Sequence, residues 1–448
     1  MKPTALNKIA HAIGTQLDNT NVASGVAVDS RMLQPGDLFF ALPGAKVDGH
    51  LFLEHVAKSG ASGAVVSSSY KGSDYGLPLL RVRDVQAALQ EYSKTVLNLS
   101  KAKIVAVTGS LGKTTTKGFI ASLMKHKFKV SASPGNSNSQ IGLPLAILNH
   151  TTAEDEVIIL EMGMTLPGQL SKLIQIAPPD IAVVTTVALV HAENFDSLEG
   201  IARSKAEIFT HPTTKLGIYC TESNISEILA QAGTCEKQTF STTTSQSDFF
   251  LNAIENGLQI QERQSKPVHL PFLAIPGIHN RHNFLAAVAV ARNLGMDWEE
   301  IRDAQSTLEL PERRLEMIEK QGVVFVNDTY NASEMSMKSA LDSLPLPKPA
   351  CKKIAFLGGI VELGKFSVEC HRSVAKHALD RVDMMFCFGE DCLPMVDEWK
   401  SAGRQVVWTK ERDALVAELL IQIQPGDVVL LKGSRSKGVC KVLDMLPD

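Results

Sequence analysis

The stretch that most constrains this chain is Ile104-Val105-Ala106-Val107 running into Thr108-Gly109-Ser110-Leu111-Gly112-Lys113-Thr114-Thr115-Thr116. The apolar run reads as a strand, and after the lysine Phe119, Ile120, Leu123 and Met124 recur at helical spacing to give one apolar face. Strand, glycine loop, Lys-Thr and helix in that order form a phosphate loop. Glycines let backbone N–H groups approach phosphate oxygens, a helix N-terminus favours an anion, and a lysine meets the terminal phosphates. On that pattern Gly109, Ser110, Gly112, Lys113, Thr114 and Thr115 are the nucleotide-binding candidates, with Thr114 offering its hydroxyl to Mg²⁺. The loop departs from the usual form because Val107 holds the place of the first glycine.

The flanking sequence supplies the sheet that such a loop needs. Ahead of it, Phe39-Phe40-Ala41-Leu42 and Gly63-Ala64-Val65-Val66 read as short strands between glycine turns, and a polar helix covers roughly Gln86 to Leu99. Behind it, strands at 157–160 and 181–186 alternate with helices, the pattern of a parallel sheet covered on its faces, until the block ends near Leu310-Pro311. Strands at 354–357, 384–388, 406–408 and 428–431, with a helix from Ser367, predict a second, smaller open α/β domain. The 448 residues leave room for about three domains. The predicted division is 1–86, 87–312 and 313–448.

Composition excludes some partners. A net charge of −3 gives no general attraction to nucleic acid or an anionic membrane, so any anion must be met by a local site. No apolar run follows Met1-Lys2-Pro3-Thr4, and the most apolar stretch, Ile181 to Val190, is too short to span a bilayer. Seven scattered cysteines without a C-x-x-C pair fit reduced thiols. A cytoplasmic protein with no nucleic-acid partner and no membrane insertion is expected. Two further residues suit a metal-nucleotide site: Glu161 closes the apolar strand at 157–160 with a hard oxygen ligand, and His191 follows Ile181–Val190 at a strand's C-terminal edge.

Other motifs follow in a fixed order. Asp29-Ser30-Arg31, Pro35-Gly36-Asp37-Leu38-Phe39-Phe40-Ala41 and Asp48-Gly49-His50 precede the phosphate loop. After it come Gly135-Asn136-Ser137-Asn138-Ser139-Gln140, then Ala202-Arg203-Ser204-Lys205-Ala206-Glu207, then Gly277-Ile278-His279-Asn280-Arg281-His282-Asn283. Arg314, Asn327-Asp328-Thr329-Tyr330-Asn331-Ala332, Leu357-Gly358, Glu362-Leu363-Gly364, His371 and Lys432-Gly433-Ser434-Arg435 complete the series. Together these resemble the Mur ligase family over nearly the whole chain, and most closely its MurF branch.

The resemblance implies an α/β protein of three domains: an N-terminal uridine-nucleotide-binding domain, a central P-loop ATPase with a parallel sheet, and a C-terminal Rossmann-like domain for the incoming dipeptide. It implies an ATP-dependent amide ligase, monomeric, that adds D-Ala-D-Ala to UDP-MurNAc-tripeptide through an acyl phosphate, the final cytoplasmic step of peptidoglycan precursor synthesis. The catalytic residues it implies are Lys113, His191 and Lys205. Thr114 and Glu161 would hold one Mg²⁺, and His191 with a carbamylated Lys205 a second. Asn280 and Asn283 would lie on the adenine side, Asp328 on the ribose, and Arg314 on the phosphates. Ser30 and Arg31 would meet the uridine nucleotide, and Asn136, Asn138, Ser139, Tyr330 and Asn331 the substrate.

The chain departs from the family at Leu111, Gln140, Thr186 and Ser333, and at Gly359 and Ile360, where the family has Asp and Met; no role is carried to Gly359. The nearest alternatives are the branch that adds a diamino acid, whose Asp-Asn-Pro-Arg signature is absent, and a non-catalytic nucleotide-binding homologue. Folylpolyglutamate synthase resembles only the central and C-terminal parts. A regulatory GTPase would need an Asn-Lys-x-Asp motif, and the sequence has none.

Overall fold

Successive side chains of a strand point to opposite faces of its sheet. Val105 and Val107 therefore join one apolar cluster while Ala106 joins another, and the sheet between them needs helices on both sides. A computed structural model shows this arrangement built around three parallel or mostly parallel sheets, and it describes residues 2–44, 47–222 and 225–446.

The N-terminal sheet has four parallel strands in sequence order, Gly25–Ala27, Asp37–Phe40, Gly63–Ser67 and Leu79–Val82. The helix Val85–Asn98 starts from an Asp84 cap and drives Val85, Ala88, Leu89 and Tyr92 into this domain's core. The predicted cut after residue 86 thus falls inside a helix that packs with the first domain. Its apolar stripe reaches that sheet before the chain turns into the next one.

Among the described residues the central sheet has nine strands, and its order places Lys103–Thr108 between Val157–Glu161 and Ile181–Val184. The chain leaves Lys103–Thr108 for one side of the sheet and later returns on the other, so a topological switch point opens at that strand's C-terminal end. Lys113–Met124 and Ile278–Asn293 pack side by side over one face. The predicted strand at 181–186 stops at Val184, because Thr185 and Thr186 bend away to bond the glycine loop. Leu216–Cys220, Glu236–Ser241 and an antiparallel extension through Phe249–Ile254, Gly257–Glu262 and Val268–Leu270 were not read from sequence.

The C-terminal sheet runs Glu316–Lys320, Val323–Asn327, Val428–Lys432, Lys353–Gly358, Met384–Phe388, Val406–Thr409, all parallel except the first. One apolar cluster continues from the central sheet's inner face to this sheet's face, through Ala332, Met337 and Leu344. That cluster seats the third domain over the central switch point. No helix among the described residues is long and apolar enough to cross a membrane, and all seven cysteines are free thiols.

Candidate active site

A cavity of about 1290 Å³ opens where the three domains meet, with the glycine loop as its floor. Gly109 has φ 145° and Gly112 φ 80°, conformations that L side chains rarely adopt. Space agrees: a Cβ at Gly109 would lie 1.9 Å from Thr185 Oγ1, and one at Gly112 2.3 Å from Asn283 Oδ1. Both glycines are there because the loop is pressed between its neighbours. Ser110 N donates to Thr186 O (2.8 Å), Ser110 Oγ to Ala188 O (2.8 Å), and Thr185 Oγ1 to Leu111 O (2.5 Å). The departures at Leu111 and Thr186 pair with each other as a β-bridge through backbone atoms.

The loop delivers the N-terminus of Lys113–Met124 to the cavity, with Thr114 and Thr115 in the first turn. Lys113 Nζ curls over the loop, donating to Gly109 O (2.7 Å) and Ser110 O (3.1 Å). Burial lowers its pKa against the opposing pull of Glu161. Asn283 Oδ1 accepts Thr116 Oγ1 (3.2 Å), Asn283 Nδ2 donates to Asn280 Oδ1 (3.3 Å), and Asn280 Nδ2 to Pro276 O (2.6 Å). Both asparagines line the cavity, and the same side chains tie the two helices together.

At the phosphate end, Glu161 is buried at the end of its strand. Its Oε1 accepts Asn138 Nδ2 at 2.8 Å, while Oε2 has no hydrogen-bond partner and sits 3.5 Å from Lys117 Nζ, an ion-pair distance. A buried carboxylate oxygen left this way, in a cavity that Thr114 also lines, suits a hard divalent cation. Lys117, which the sequence reading passed over, is itself buried and donates to Gly135 O (2.6 Å), fixing the turn that carries Asn136 and Asn138. Lys205 is 3 % exposed and has no hydrogen-bond or ion-pair partner among the described residues. Burial, then the nearby Lys113 charge, lower its pKa well below that of a free lysine, with Glu161 and Glu207 opposing. Burial thus favours its neutral form, and the side chain is not the solvated charge that a lysine on a polar helix usually is. His191 follows on the same side, its Nδ1 bonded to Glu362 of the C-terminal domain.

The third domain closes the cavity from above. The Arg314 guanidinium lies 4.4 Å from the Tyr330 ring centroid, and its buried Nε has no partner. A guanidinium with a buried, unmet donor, lining a nucleotide cavity, is a phosphate group's natural counterpart. Asp328 lines the cavity with both oxygens already engaged: Oδ2 forms a buried ion pair with Lys432, and Oδ1 accepts Leu315 N at 3.3 Å. Lys432 also donates to Asn331 O (3.1 Å), so it organises the whole Asp328–Asn331 turn. Across the rim, Ser339 bonds His279 Nδ1 at 2.6 Å, joining the third domain to the Asn280 turn.

Not every predicted residue reaches the cavity. Asn136, Asn138, Ser139, Tyr330 and Asn331 line it; Ser30 and Arg31 do not. Arg31 is exposed and clasps Asp29 through two contacts of 2.9 and 2.6 Å, holding the aspartate pKa down to about 2. In the same domain His50 is structural: its Nδ1 meets Asp48, its Nε2 accepts Ser67 N, and its ring stacks on Tyr70. His371 likewise pins a loop, its Nε2 accepting Ile360 N at 3.0 Å. A Cβ on Gly359 would fall 2.6 Å from Asp391 Cβ, so Asp391, paired with Lys437, fills the space that a side chain at 359 would take.

Comparison with known proteins agrees with this geometry along the whole chain. Family models described as "Mur ligase family, catalytic domain", "Mur ligase middle domain" and "Mur ligase, glutamate ligase domain" match residues 22–95, 107–291 and 313–435. The UDP-N-acetylmuramoyl-tripeptide--D-alanyl-D-alanine ligase of Bacillus subtilis is 32 % identical, over 92 % of this chain and 91 % of its own. That of Escherichia coli is 28 % identical over 100 % and 99 %. Among solved structures, MurF from Acinetobacter baumannii superposes with a TM-score of 0.87 at 25 % identity, covering 100 % of this chain and 99 % of that one. The MurF ligase of Thermotoga maritima in complex with ADP gives 0.79 at 28 %, covering 94 % and 96 %.

Proposed function

From the premise that this chain belongs to the Mur ligase family, we propose that it joins D-alanyl-D-alanine to UDP-N-acetylmuramoyl-tripeptide at the expense of ATP, releasing ADP and phosphate. The observation that carries this is the convergence of three domains on one cavity, with a phosphate loop on its floor and, at the same end, a buried Lys205 and a Glu161 Oε2 that has no hydrogen-bond partner.

A carboxylate is a poor electrophile, so the γ-phosphate of ATP is first transferred to the tripeptide's terminal carboxylate. The dipeptide amine then attacks the acyl carbon, a proton leaves the nitrogen, and phosphate departs as the amide forms. The protein's part is positioning and charge neutralisation. Backbone N–H groups of 109–115 and Lys113 hold the phosphates, and Arg314 approaches them from the third domain. Asn280 and Asn283 face the base, and Asp328, oriented by Lys432, faces the ribose. Asn136, Asn138, Ser139, Tyr330 and Asn331 border the reacting carboxylate, while Ser30 and Arg31 hold the uridine nucleotide at a distance, so that remote binding energy orients the reacting end. Closure of the domains keeps water from the acyl phosphate.

Thr114 and Glu161 would hold one Mg²⁺, and His191 and Lys205 a second; such ions neutralise charge on the phosphoryl group as it transfers. An ammonium at position 205 could not serve as a ligand. The neutral amine favoured by this burial reacts with CO₂ to give a carbamate and one proton, and the carbamate presents two anionic oxygens. This reading carries with it an enzyme that works as a monomer and meets its nucleotide substrate in the cytoplasm.

The test is ADP release by purified protein with each substrate omitted in turn. ADP formation that is unchanged without the dipeptide, or a diamino acid replacing the dipeptide, would overturn the assignment. For Lys205, the Lys205→Ala variant should lose turnover while keeping ATP affinity, and short carboxylic acids should restore part of the rate; near-normal turnover in the variant rules the carbamate out.

A further inference from the structure

One contact at the seam between the second and third domains joins the phosphate end of the cavity to the domain that closes it, and the following inference rests on the ligase reading above. His191 and Glu362 meet there, and both adopt left-handed backbone conformations, φ 56° and 61°, which non-glycine residues rarely take. The Glu362 carboxylate bonds His191 Nδ1, and the Glu362 carbonyl accepts Glu193 N at 3.0 Å. One residue of the third domain thus grips the 191–193 turn through its side chain and its backbone. Two strained residues persist at a contact only when the surrounding structure over-determines it.

The chemistry of the contact decides the state of the ring. An imidazole nitrogen facing a carboxylate carries the proton, so Nδ1 is the N–H and Nε2 keeps its lone pair. His191 lines the cavity, and its Nε2 has no hydrogen-bond partner among the described residues. Without the carboxylate the ring would be free to rotate and to exchange tautomers.

We propose that Glu362 is a positioning residue that fixes His191 in the Nδ1-protonated tautomer with its Nε2 lone pair open to the cavity, and that it does so only while the third domain is docked. The domain that brings the amine thereby also completes the end of the cavity that handles phosphate. A carboxylate behind a histidine usually fixes ring orientation in this way, and losing it typically lowers metal affinity or activity about 10–100-fold.

The experiment uses the full chain labelled with ¹⁵N-histidine, the His191 signals being assigned by their disappearance in His191→Gln. The wild type should show a pyrrole-type Nδ1 and a pyridine-type Nε2. Glu362→Ala should show mixed tautomers, with kcat reduced about 10–100-fold and the KM for ATP nearly unchanged. Glu362→Gln, whose amide oxygen accepts the same proton, should keep the tautomer and most of the rate, and circular dichroism checks that each variant is folded. An Nε2-protonated ring in the wild type, or an unchanged tautomer in Glu362→Ala, overturns the proposal. Equal rate losses in the two variants also overturn it, because Glu362 would then be a plain interdomain contact. If the wild type lacks ligase activity yet shows the locked tautomer, the ligase reading fails while the positioning role stands.

Discussion

Removing the charge of Lys432 should unfold the third domain more readily than any surface change there. Lys432 is 2 % exposed; its ammonium pairs with Asp328 Oδ2 and donates to two backbone carbonyls, Asp328 O at 3.3 Å and Asn331 O at 3.1 Å. Lys432→Met keeps the volume and strands a buried carboxylate, which typically costs about 3–5 kcal/mol. Removing both charges, Lys432→Met with Asp328→Asn, leaves no ion to solvate and should recover more than half of that, since a neutral replacement of a buried pair is often close to neutral. The assay is urea unfolding followed by fluorescence in a Trp298→Phe background, where the remaining tryptophans, Trp399 and Trp408, both report on the third domain. At a slope of about 2 kcal/mol per molar urea, the single variant's midpoint should fall by about 1.5–2.5 M. A loss below about 1 kcal/mol, or a double variant no more stable than the single one, would refute the view that this pair is a buried, mutually dependent unit.

Three further outcomes follow from other contacts. Gly112→Ala must adopt φ 80° and displace Asn283 from Thr116 and Asn280, a loss of about 2–4 kcal/mol from backbone strain and two hydrogen bonds, read as a lower melting temperature and weaker ATP binding by calorimetry. The pKa of His279 is lowered to about 4 from 6.5, chiefly by burial, with Asp328 opposing and Lys432, Arg314 and His282 reinforcing it. The unfolded chain therefore binds the extra proton first: stability is fully present above about pH 6.5 and is lost as pH falls towards 4, by at most roughly 3 kcal/mol. His279→Gln should flatten that slope in pH-dependent melting. Gly359→Asp should destabilise the third domain by about 1–3 kcal/mol through overpacking against Asp391, and adding Asp391→Gly should restore it; a Gly359→Asp protein as stable as wild type would mean that the crowding is not real.

The phosphate loop was legible because its chemistry is contiguous. Strand, glycines, lysine and helix lie within about a dozen residues, and each element's period shows in the sequence. The same holds for the strands around 157, 181, 354, 384 and 428, whose apolar runs need no partner to be recognised. The antiparallel extension from Phe249 to Leu270 was missed because its strands alternate buried and exposed residues and carry many polar side chains. Lys117 was passed over because it sits on a helix whose apolar face was already assigned; its burial depends on Gly135 O and Glu161, contributed by a separate turn and a strand end. Asp328 was assigned a ligand and not Lys432, because its partner lies 104 residues away.

Those distant pairings have a common physical origin in strand register, which no local pattern reveals. Val323–Asn327 and Val428–Lys432 are parallel neighbours with Asn327 opposite Leu431, so the next residue on each chain, Asp328 and Lys432, emerges at the same edge, and burial obliges opposite charges to pair there. Lys353–Gly358 and Met384–Phe388 are likewise matched, with Gly358 opposite Phe388, which brings the 389–392 turn against Gly359. The space left by the missing side chain at Gly359 is filled from the next strand: Asp391, carried by the neighbouring edge, puts its carboxylate beside it and meets Lys437 from a third loop. At a sheet's C-terminal edge, adjacent strands can supply the same chemical group. A departure from a motif at one such position therefore indicates lost function only when the neighbouring strand ends have been checked for the missing group.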